Sequence, residues 1–404
     1  MNKKYRNNWL SSLRYGSKDF DLRSLLLKSL AWLKRKPVKI LDSDPIFCSQ
    51  VLSASKVKGI FIESELATPA WHPIYSIESM DGDHYEQLIR DFKILLASLN
   101  WREKLGPLTQ KHCTQLADVM KLNPNQKLDS PKLTRIVLRI LYELIFDQEI
   151  NADDETLFYE SSLEWRKEIA IKGKADSTIK TNFMKRLNDI VSASRFKDGL
   201  ETYKKDPASY LSVFAQPFLI SPQINLSDIF VTVFSKLRTI PNLRESAMIS
   251  AKEQDRARLG GIILESIRLK HPFPVLEREL TASLDYGGQT YAPGTQFFIL
   301  LDQFKQDQNF DVNRWLDNSN DNPYASIPFA AGPRMCIGKP IAMELMTEML
   351  SNLLLHFNFE QIEPKLNHLY SGRDNDGNES FFEILYQLKT FLKVMISSIK
   401  LAKR

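Results

Sequence analysis

Apolar side chains recur at helical spacing along most of this chain. In 83–150, two stripes of apolar residues repeat every three to four positions, which predicts long amphipathic helices. The segment 151–211 is polar and charged but keeps a helical pattern. Segments 226–237 and 255–270 predict two further helices, and Pro241 between them predicts a turn. The pattern therefore favours a mainly helical protein.

A small β portion is expected in two places. Residues 38–41 predict a short strand, and Asp44-Pro45 after it predicts a helix start, because Asp is a good N-cap and Pro suits the first helical turn. In 284–301, short apolar runs alternate with glycine turns, which predicts strands. Helical spacing returns in 340–356. We expect one domain, 1–404, of mainly α class with a small β portion late in the chain.

Composition and charge narrow the class of protein. The chain has 404 residues, of which 43% are apolar and 25% charged, a composition that supplies a large core and excludes intrinsic disorder. The net charge is +5, but ten of the 54 basic residues lie in Met1–Pro37. The remainder has no basic stripe with interleaved aromatic residues, so no nucleic-acid partner is expected. Cys48, Cys113 and Cys336 are far apart, which disfavours disulfides and structural zinc and favours a reducing compartment, the cytoplasm.

The basic N-terminal segment, 1–37, contains an amphipathic stretch in 21–34. Two interpretations stay open: a first helix docked on the body, which we favour, and a helix resting on an anionic membrane surface. The segment lacks the compact apolar region of a secretory signal. The apolar stretch 206–235 includes Pro222 and Asp228 and is too polar for a bilayer span. We therefore expect a soluble protein with no transmembrane segment.

The clearest chemical signal is a loop with two glycines around a cysteine, Phe329-Ala-Ala-Gly332-Pro-Arg334-Met-Cys336-Ile-Gly338, which runs into the helix at 340. Backbone N–H groups, a helix N-terminus and Arg334 would all stabilise a thiolate. We expect Cys336 to have a lowered pKa and to act as a nucleophile or a soft metal ligand, the alternative being a buried inert cysteine. The glycine spacing does not fit a phosphate-binding loop, and no histidine lies near Cys336 in sequence to support a cysteine hydrolase.

This loop resembles the haem-binding loop of the cytochrome P450 family, FxxGxRxCxG, at all five fixed positions. Upstream, Glu265-Ser-Ile-Arg268 is similar to that family's ExxR motif, and Phe310-Asp-Val-Asn-Arg314-Trp315 looks like its FxPxRW segment, in the same order along the chain. The resemblance implies a cytochrome P450-like fold, a haem b cofactor and Cys336 as the axial thiolate ligand. The core motifs of the expected haem site thus lie in 265–344.

The residues themselves agree with this resemblance. Glu265 and Arg268 share a helix face and can form a charge network with Arg314, a structural rather than a catalytic role. Phe329 and Gly332 belong to the loop that would face the cofactor.

The resemblance also implies cations for the two haem propionates. Arg334 and Arg278 match the family's positions, although Glu277 and Glu279 could equally hold Arg278 in a surface pair. His84, at a helix start, is a further candidate against a solvated helix-start histidine, and Arg90 is a weaker candidate because it lies off the face of His84.

The distal helix of the family usually carries an acid followed by threonine, and the corresponding segment, 218–237, has no such pair. Asp228 and Thr232 lie four residues apart and are possible substitutes. The alternative is that Ser227 is the N-cap of a helix that starts there. Pro222 is expected to bend or delay the helix.

The leading hypothesis is a haem-thiolate monooxygenase that oxidises a small organic molecule with dioxygen. No flavin or nicotinamide motif is present, so an external electron donor, a ferredoxin or a reductase, is expected. One alternative is a related enzyme that performs radical coupling, peroxide-driven oxidation, isomerisation or dehydration. Another is a haem-containing binding protein without catalysis.

Overall fold

The computed structural model describes residues 37–59, 74–123, 125–169, 175–273, 275–301, 309–316, 322–357 and 359–363. Helices dominate these residues, as the apolar spacing predicts. The helices are α1 Pro45–Ala54, α2 Gly82–Ser98, α3 Trp101–Leu122, α4 Ser130–Phe146, α5 Ala152–Ile169, α6 Ser177–Ser192, α7 Lys197–Thr202, α8 Pro207–Phe214, α9 Ser221–Thr239, α10 Pro241–Glu253, α11 Arg256–Leu269 and α12 Lys339–His356. The strands are β1 Val38–Leu41, β2 Val275–Glu279, β3 Leu284–Tyr286, β4 Gln289–Tyr291 and β5 Gln296–Leu300. The expected N-terminal helix, 21–34, lies outside the described residues.

Several helix starts are fixed by side chains that satisfy the free N–H groups of the first turn. Asp44 accepts a hydrogen bond from the N–H of Phe47 at 2.9 Å, with Pro45 in the first turn of α1. Asp129 caps α4 and Asp255 caps α11 in the same way. Each cap of this kind contributes about 1 kcal/mol. The predicted helix start at Asp44-Pro45 is confirmed.

The main sheet has three strands in the order β1-β5-β2. β1 runs parallel to β5, with Val38 opposite Gln296, and β2 runs antiparallel to it. All five residues of β5 are buried, as expected for the central strand of a sheet covered on both faces. β3 and β4 form a separate hairpin whose turn, Gly287-Gly288, has positive φ at both residues, the conformation that tight hairpins require. The strands expected in 284–301 are confirmed, and β2 was not predicted.

A large apolar core joins most of the helices. α9 packs against α4, and α12 packs against α3, so that the two long buried helices α9 and α12 lie inside layers of amphipathic ones. A second, smaller core lies between α1 and the sheet, where Phe47 stacks on Tyr286 at 4.3 Å between ring centroids. The Cys336 loop lies between the two cores, since Ile337 contacts the first and Ala331 the second.

Two expectations about helix boundaries need correction. Pro241 does not mark a simple turn; it opens a further helix, α10, because proline is well suited to the first helical turn. Ser227 is not an N-cap: it lies inside α9 and is fully buried, with its Oγ 3.0 Å from Ser130 Oγ. α9 begins six residues earlier, immediately after a π-helical turn, Ala215–Ile220.

Pro222 was expected to bend or delay the helix, and the π-helical turn before it shows how the chain accommodates this proline. Proline has no N–H to donate to the preceding turn, and here the N–H of Ser221 bonds the carbonyl of Gln216, five residues back. The chain therefore continues from α8 into α9 through a widened turn.

The helical stretch Pro207–Thr239 is long and apolar enough to span a membrane by length and composition, with a mean hydropathy of 1.3 in its most apolar window. The polar residues within it had argued against this in the sequence. In the structure, 89% of that window is buried inside the protein, which is the environment of a core helix.

Candidate active site

The Cys336 loop is held in place by its own backbone and by α1. The N–H of Cys336 donates to the carbonyl of Phe329 at 2.8 Å, and the N–H of Lys339 donates to the carbonyl of Cys336 at 3.1 Å. Gly332 has a φ of +66°, and a Cβ there would lie 2.5 Å from the Cα of Ser53. Glycine is required at this position because the backbone conformation is left-handed and α1 approaches so closely.

Cys336 faces a cavity lined by Phe329, Arg334 and Gly338 of the same loop. Its side chain is exposed only in the sense that it borders this cavity, since the sulfur lies deep within the protein. Burial raises the pKa of the Cys336 thiol to about 11, although the N–H groups of Gly338 and Lys339 act in the opposite direction.

The expectation of a lowered pKa for Cys336 is therefore wrong for the polypeptide alone. The expectation counted the hydrogen-bond donors of the loop and not the loss of water around the sulfur, which is the larger effect. A metal ion bound to the sulfur is what would hold it as thiolate.

Behind the loop, Glu265 is the centre of a buried charge network. Arg268 donates two hydrogen bonds to its carboxylate at 2.8 and 2.7 Å, and Arg314 approaches at 3.3 Å. The indole N–H of Trp315 donates to Glu265 at 2.8 Å. Glu265 and Arg268 have side chains with no exposed surface, so this carboxylate is fully desolvated and multiply hydrogen-bonded. The network that the sequence predicts is present in the structure.

His271 connects this network to the Cys336 loop, and the sequence analysis missed that role. The N–H of Phe273 donates to His271 Nδ1 at 3.0 Å, and His271 Nε2 lies 3.2 Å from the carbonyl of Pro328. The ring therefore has a carbonyl oxygen within hydrogen-bond distance of each nitrogen, since Nδ1 also lies 2.5 Å from the carbonyl of Phe273. His271 thereby links the end of α11 to the residue before Phe329. The signal in the sequence was a histidine directly after the ExxR helix.

Arg278 lies on β2 with 1% of its surface exposed, and it borders the same cavity. Its Nη1 donates to the carbonyl of Glu277 at 2.7 Å, whereas its Nε has no hydrogen-bond partner among the described residues. Burial, together with the nearby charge of Arg334, lowers the pKa of the Arg278 guanidinium to about 10. A buried guanidinium with an unsatisfied donor beside a cavity is suited to bind an anionic group there.

Arg334 also borders the cavity, but its donors are largely occupied. It bonds Asp81 and the carbonyl of Lys56, and its guanidinium lies 3.5 Å from the ring centroid of Tyr85. Burial lowers the pKa of Arg334, and the Tyr85 and Asp81 side chains act in the opposite direction. Arg334 therefore clamps the loop to the segment before α2, in addition to the anion-binding role that the sequence predicts.

The structure places both candidates on α2, His84 and Arg90, away from the cavity lining. His84 does not border the cavity; its Nε2 lies 2.9 Å from Ser209 Oγ, and its ring packs edge-on against Tyr75. Arg90 is exposed. Tyr85 and Ile89 border the cavity instead, because the face of α2 that contains them is turned inward, and residues one position away on a helix lie on a different face.

The distal wall of the cavity is formed by α9, which contributes Ser221, Pro222, Asn225, Leu226 and Ile229. Asp228 and Thr232 do not border the cavity: the Thr232 hydroxyl donates to the carbonyl of Asp228 at 3.1 Å, and the Asp228 carboxylate faces Arg166. Their predicted role as substitutes for the acid–threonine pair is not supported by this geometry. The polar residues that reach the cavity from α9 are Ser221 and Asn225.

Comparisons with known proteins agree with this geometry. Residues 251–371 match the family model described as cytochrome P450. Over 118 residues the chain is 36% identical to cytochrome P450 4d2 of Drosophila melanogaster, a match that covers 27% of this chain and 24% of that protein. It is 25% identical over 224 residues to beta-amyrin 28-monooxygenase of Barbarea vulgaris, covering 50% of this chain and 47% of that protein. These matches thus span from about a quarter to about half of each relative's length.

Solved structures match over more of the chain. A cytochrome P450 from Thermus thermophilus superposes with a TM-score of 0.58 at 14% identity, covering 82% of this chain and 90% of that one. A zebra fish cytochrome P450 solved with progesterone gives a TM-score of 0.60 at 16% identity, covering 79% and 86%. These similarities show the fold. The family model matched at residues 251–371 and the similar relatives, together with the Cys336 loop and the Glu265 network, support a cytochrome P450 family member.

The family implies a haem-iron cofactor, and the residues at the cavity fit one. The Cys336 sulfur borders the cavity, and a Cβ added at Gly338 would lie 3.9 Å from it, so glycine leaves room for a flat group to approach the sulfur. Arg278 supplies a buried cation with an unsatisfied donor in the same wall. Apolar residues such as Ile229, Leu276 and Ile341 make up much of the remaining lining, which also includes Lys58, Glu78 and Gln216.

Proposed function

We propose that this chain is a haem-thiolate monooxygenase that oxidises a small, largely apolar molecule. The observation that carries the proposal is a cysteine in the matched loop, Cys336, facing an apolar cavity whose wall also contains the buried cation Arg278. The cofactor would be haem b, and when bound it would supply the activation of dioxygen. The names of the relatives, which include a hydroxylase and monooxygenases, support the same type of reaction.

The roles of the residues follow from their positions. Cys336 would bind the iron through its sulfur, and Arg278 and Arg334 would hold the propionate groups. Phe329 and Gly338 would contact the cofactor, since both border the cavity beside Cys336. The Glu265 network and His271 would hold the loop in position, because together they join α11 to Asp311, Trp315 and Pro328.

The remaining parts of the proposal concern partners and location. A separate ferredoxin or reductase would supply the electrons, because the chain contains no recognisable flavin or nicotinamide motif. We propose that the protein is soluble and acts in the cytoplasm as a single domain, for which the three widely separated cysteines are the support.

The test is the absorption spectrum of the purified, haem-supplemented protein, reduced and exposed to carbon monoxide. The expected result is a strongly red-shifted Soret band that is lost in Cys336→Ser. Cys113→Ser is the matched control, since Cys113 is fully buried and does not border the cavity, and it should keep the band. A protein that takes up no haem, or a Cys336→Ser variant with the spectrum of the parent, would contradict the proposal.

A further inference from the structure

The distal wall of the cavity contains two polar side chains that none of the roles above uses. Ser221 and Asn225 lie one helical turn apart on α9, with 6% and 7% of their surface exposed. Both border the cavity that contains Cys336, and the next residues of α9 in that wall, Leu226 and Ile229, are apolar. A buried polar pair in an otherwise apolar wall is costly unless it is hydrogen-bonded.

Arg166 on α5 fixes the orientation of the Asn225 amide. Its Nη1 donates to Asn225 Oδ1 at 2.9 Å. Arginine has only donors, so the oxygen of the amide must face Arg166 and the NH₂ group must face away. The Asn225 Nδ2 then donates to Ser221 Oγ at 3.0 Å. The hydrogen bonds thus run in one direction, from Arg166 through Asn225 to Ser221.

This direction leaves two donors at the cavity. Ser221 Oγ accepts from Asn225, so its own O–H is available to donate, and Asn225 Nδ2 has a second N–H. Among the residues that the structure describes, neither of these hydrogens has an acceptor within hydrogen-bond distance. Because buried donors are rarely left unsatisfied, a ligand that supplies an acceptor would be stabilised there.

The charge around the pair indicates what kind of acceptor fits. Arg166 lies 3.5 Å from the Asp228 carboxylate and 3.1 Å from the carbonyl of Pro272, with its guanidinium 5.7 Å from the ring centroid of Phe273. Its positive charge is therefore paired behind the wall rather than presented to the cavity. A neutral oxygen suits two neutral donors. In the haem-containing protein, where Arg278 is proposed to hold a propionate, a carboxylate would lose its hydration without gaining a free cation.

We propose that Ser221 and Asn225 form a donor pair that binds an uncharged oxygen acceptor, such as a carbonyl, ether or hydroxyl oxygen, of the substrate. Arg166 is a positioning residue that acts through Asn225. The site would take an otherwise apolar molecule and orient it by this one oxygen, which defines the substrate class. The inference rests on the proposed function for the chemistry at Cys336, but the donor pair itself rests only on the hydrogen bonds that join Arg166, Asn225 and Ser221.

The test uses three probes with one carbon skeleton: indane, 1-indanone and indane-1-carboxylate. Their dissociation constants are measured on the haem-containing protein by calorimetry and by the shift of the Soret band. The measured quantity is the ratio of the constant for indane to that for 1-indanone. In Ser221→Ala and in Asn225→Leu this ratio should fall about tenfold from the parent value, the effect expected for one or two neutral hydrogen bonds. The carboxylate should bind the parent at least about tenfold more weakly than the ketone.

Thr232→Val is the matched control, because it removes a buried hydroxyl from the same helix at a position that does not border the cavity. It should leave the ratio unchanged. Ser221→Ala keeps the test valid if Asn225→Leu fails to fold after losing its bond to Arg166. A ratio unchanged in Ser221→Ala, tighter binding of the carboxylate, or no binding of 1-indanone to the parent would overturn the inference. A protein without a Soret band would contradict the proposed function, while the ratio of the constants for indane and 1-indanone, measured by calorimetry on the same sample, still decides the donor pair.

Discussion

The two walls of the cavity are built in different ways. The wall that contains Cys336 is one continuous loop, with a left-handed glycine packed on α1 and a buried carboxylate network behind it. The wall opposite is the side of α9, whose polar residues depend on Arg166 from another helix. Backbone geometry restricts which residue types the first wall can contain, whereas the second wall can change its polar residues as long as their hydrogen bonds are satisfied.

The largest effect that we expect lies behind the first wall. Glu265→Gln would leave the buried Arg268 without a counter-ion and would turn amide hydrogens toward arginine donors, lowering the free energy of unfolding by about 3–5 kcal/mol. The measurement is chemical denaturation followed by circular dichroism. Lys56→Ala is the control, since the Lys56–Glu86 pair is largely exposed and such pairs contribute little to the free energy of unfolding. Equal losses in the two variants would show that the Glu265 network is not a structural anchor.

The corresponding change in the opposite wall should cost less. Asp228→Asn removes the carboxylate that faces Arg166, but Arg166 keeps Asn225 and the carbonyl of Pro272 as acceptors. We expect a loss of about 2–3 kcal/mol in the free energy of unfolding. Thr232→Val should lose less than about 1 kcal/mol.

Asp228→Asn and Thr232→Val also distinguish a structural role of these residues from a role in proton delivery. If Asp228 and Thr232 delivered protons, the change that costs little stability, Thr232→Val, would abolish turnover while the haem spectrum stayed normal. We expect turnover to persist in Thr232→Val, because neither residue borders the cavity.

The sequence predicts the wall that contains Cys336 better than it predicts the opposite wall on α9. The Cys336 loop and the Glu265–Arg268 pair were predicted because each is a short linear pattern whose members act within one element or between adjacent ones. Asn225 and Ser221 were not, since their role depends on Arg166, 59 positions from Asn225 in the chain. The sequence could not show that Tyr85 rather than His84 borders the cavity, because adjacent residues lie on different faces of a helix and no local pattern fixes which face is turned inward.

The pKa of Cys336 could not be predicted from the sequence for a similar reason, because it depends on contacts that form only in the fold. Hydrogen-bond donors near the sulfur can be counted in the loop sequence, but the loss of water that raises the pKa to about 11 depends on the fold around it. The N-terminal segment, 1–36, lies outside the described residues, so its assignment as a docked first helix stays a prediction.

Arg278 lies on β2 and borders the same cavity, and its replacement tests whether a buried charge there lowers stability in favour of binding. Burial lowers the pKa of Arg278 to about 10, which means that folding disfavours its charged form. Replacing a buried charge with an apolar side chain of similar size, Arg278→Met, should therefore stabilise the haem-free protein by about 1–3 kcal/mol. The same change should weaken haem binding about tenfold or more, through loss of the cation at the cavity.

The two readouts for Arg278→Met are thermal denaturation of the haem-free protein and haem titration. Arg90→Met is the matched control, because Arg90 is exposed on α2, and it should change neither by a measurable amount. Unchanged haem affinity in Arg278→Met would exclude Arg278 as an anion-binding residue. If Arg278→Met instead destabilises the haem-free protein, the Arg278 guanidinium is stabilised in the fold by more interactions than its hydrogen bond to Glu277.

The smallest effect concerns a local strain in the Cys336 loop. Ala330 has a φ of 59°, a left-handed conformation that costs a residue with a Cβ about 1–2 kcal/mol. Ala330→Gly removes this strain, but glycine also raises the conformational entropy of the unfolded chain, which opposes folding. We therefore expect the free energy of unfolding to rise by less than about 1 kcal/mol. Ala331→Gly is the matched control, because Ala331, the next residue, has a φ of −141°, which is ordinary extended backbone. This variant should lower the free energy of unfolding by about 1 kcal/mol. Opposite signs in thermal denaturation of adjacent alanines would establish that the backbone of this wall is strained, and equal signs would show that it is not.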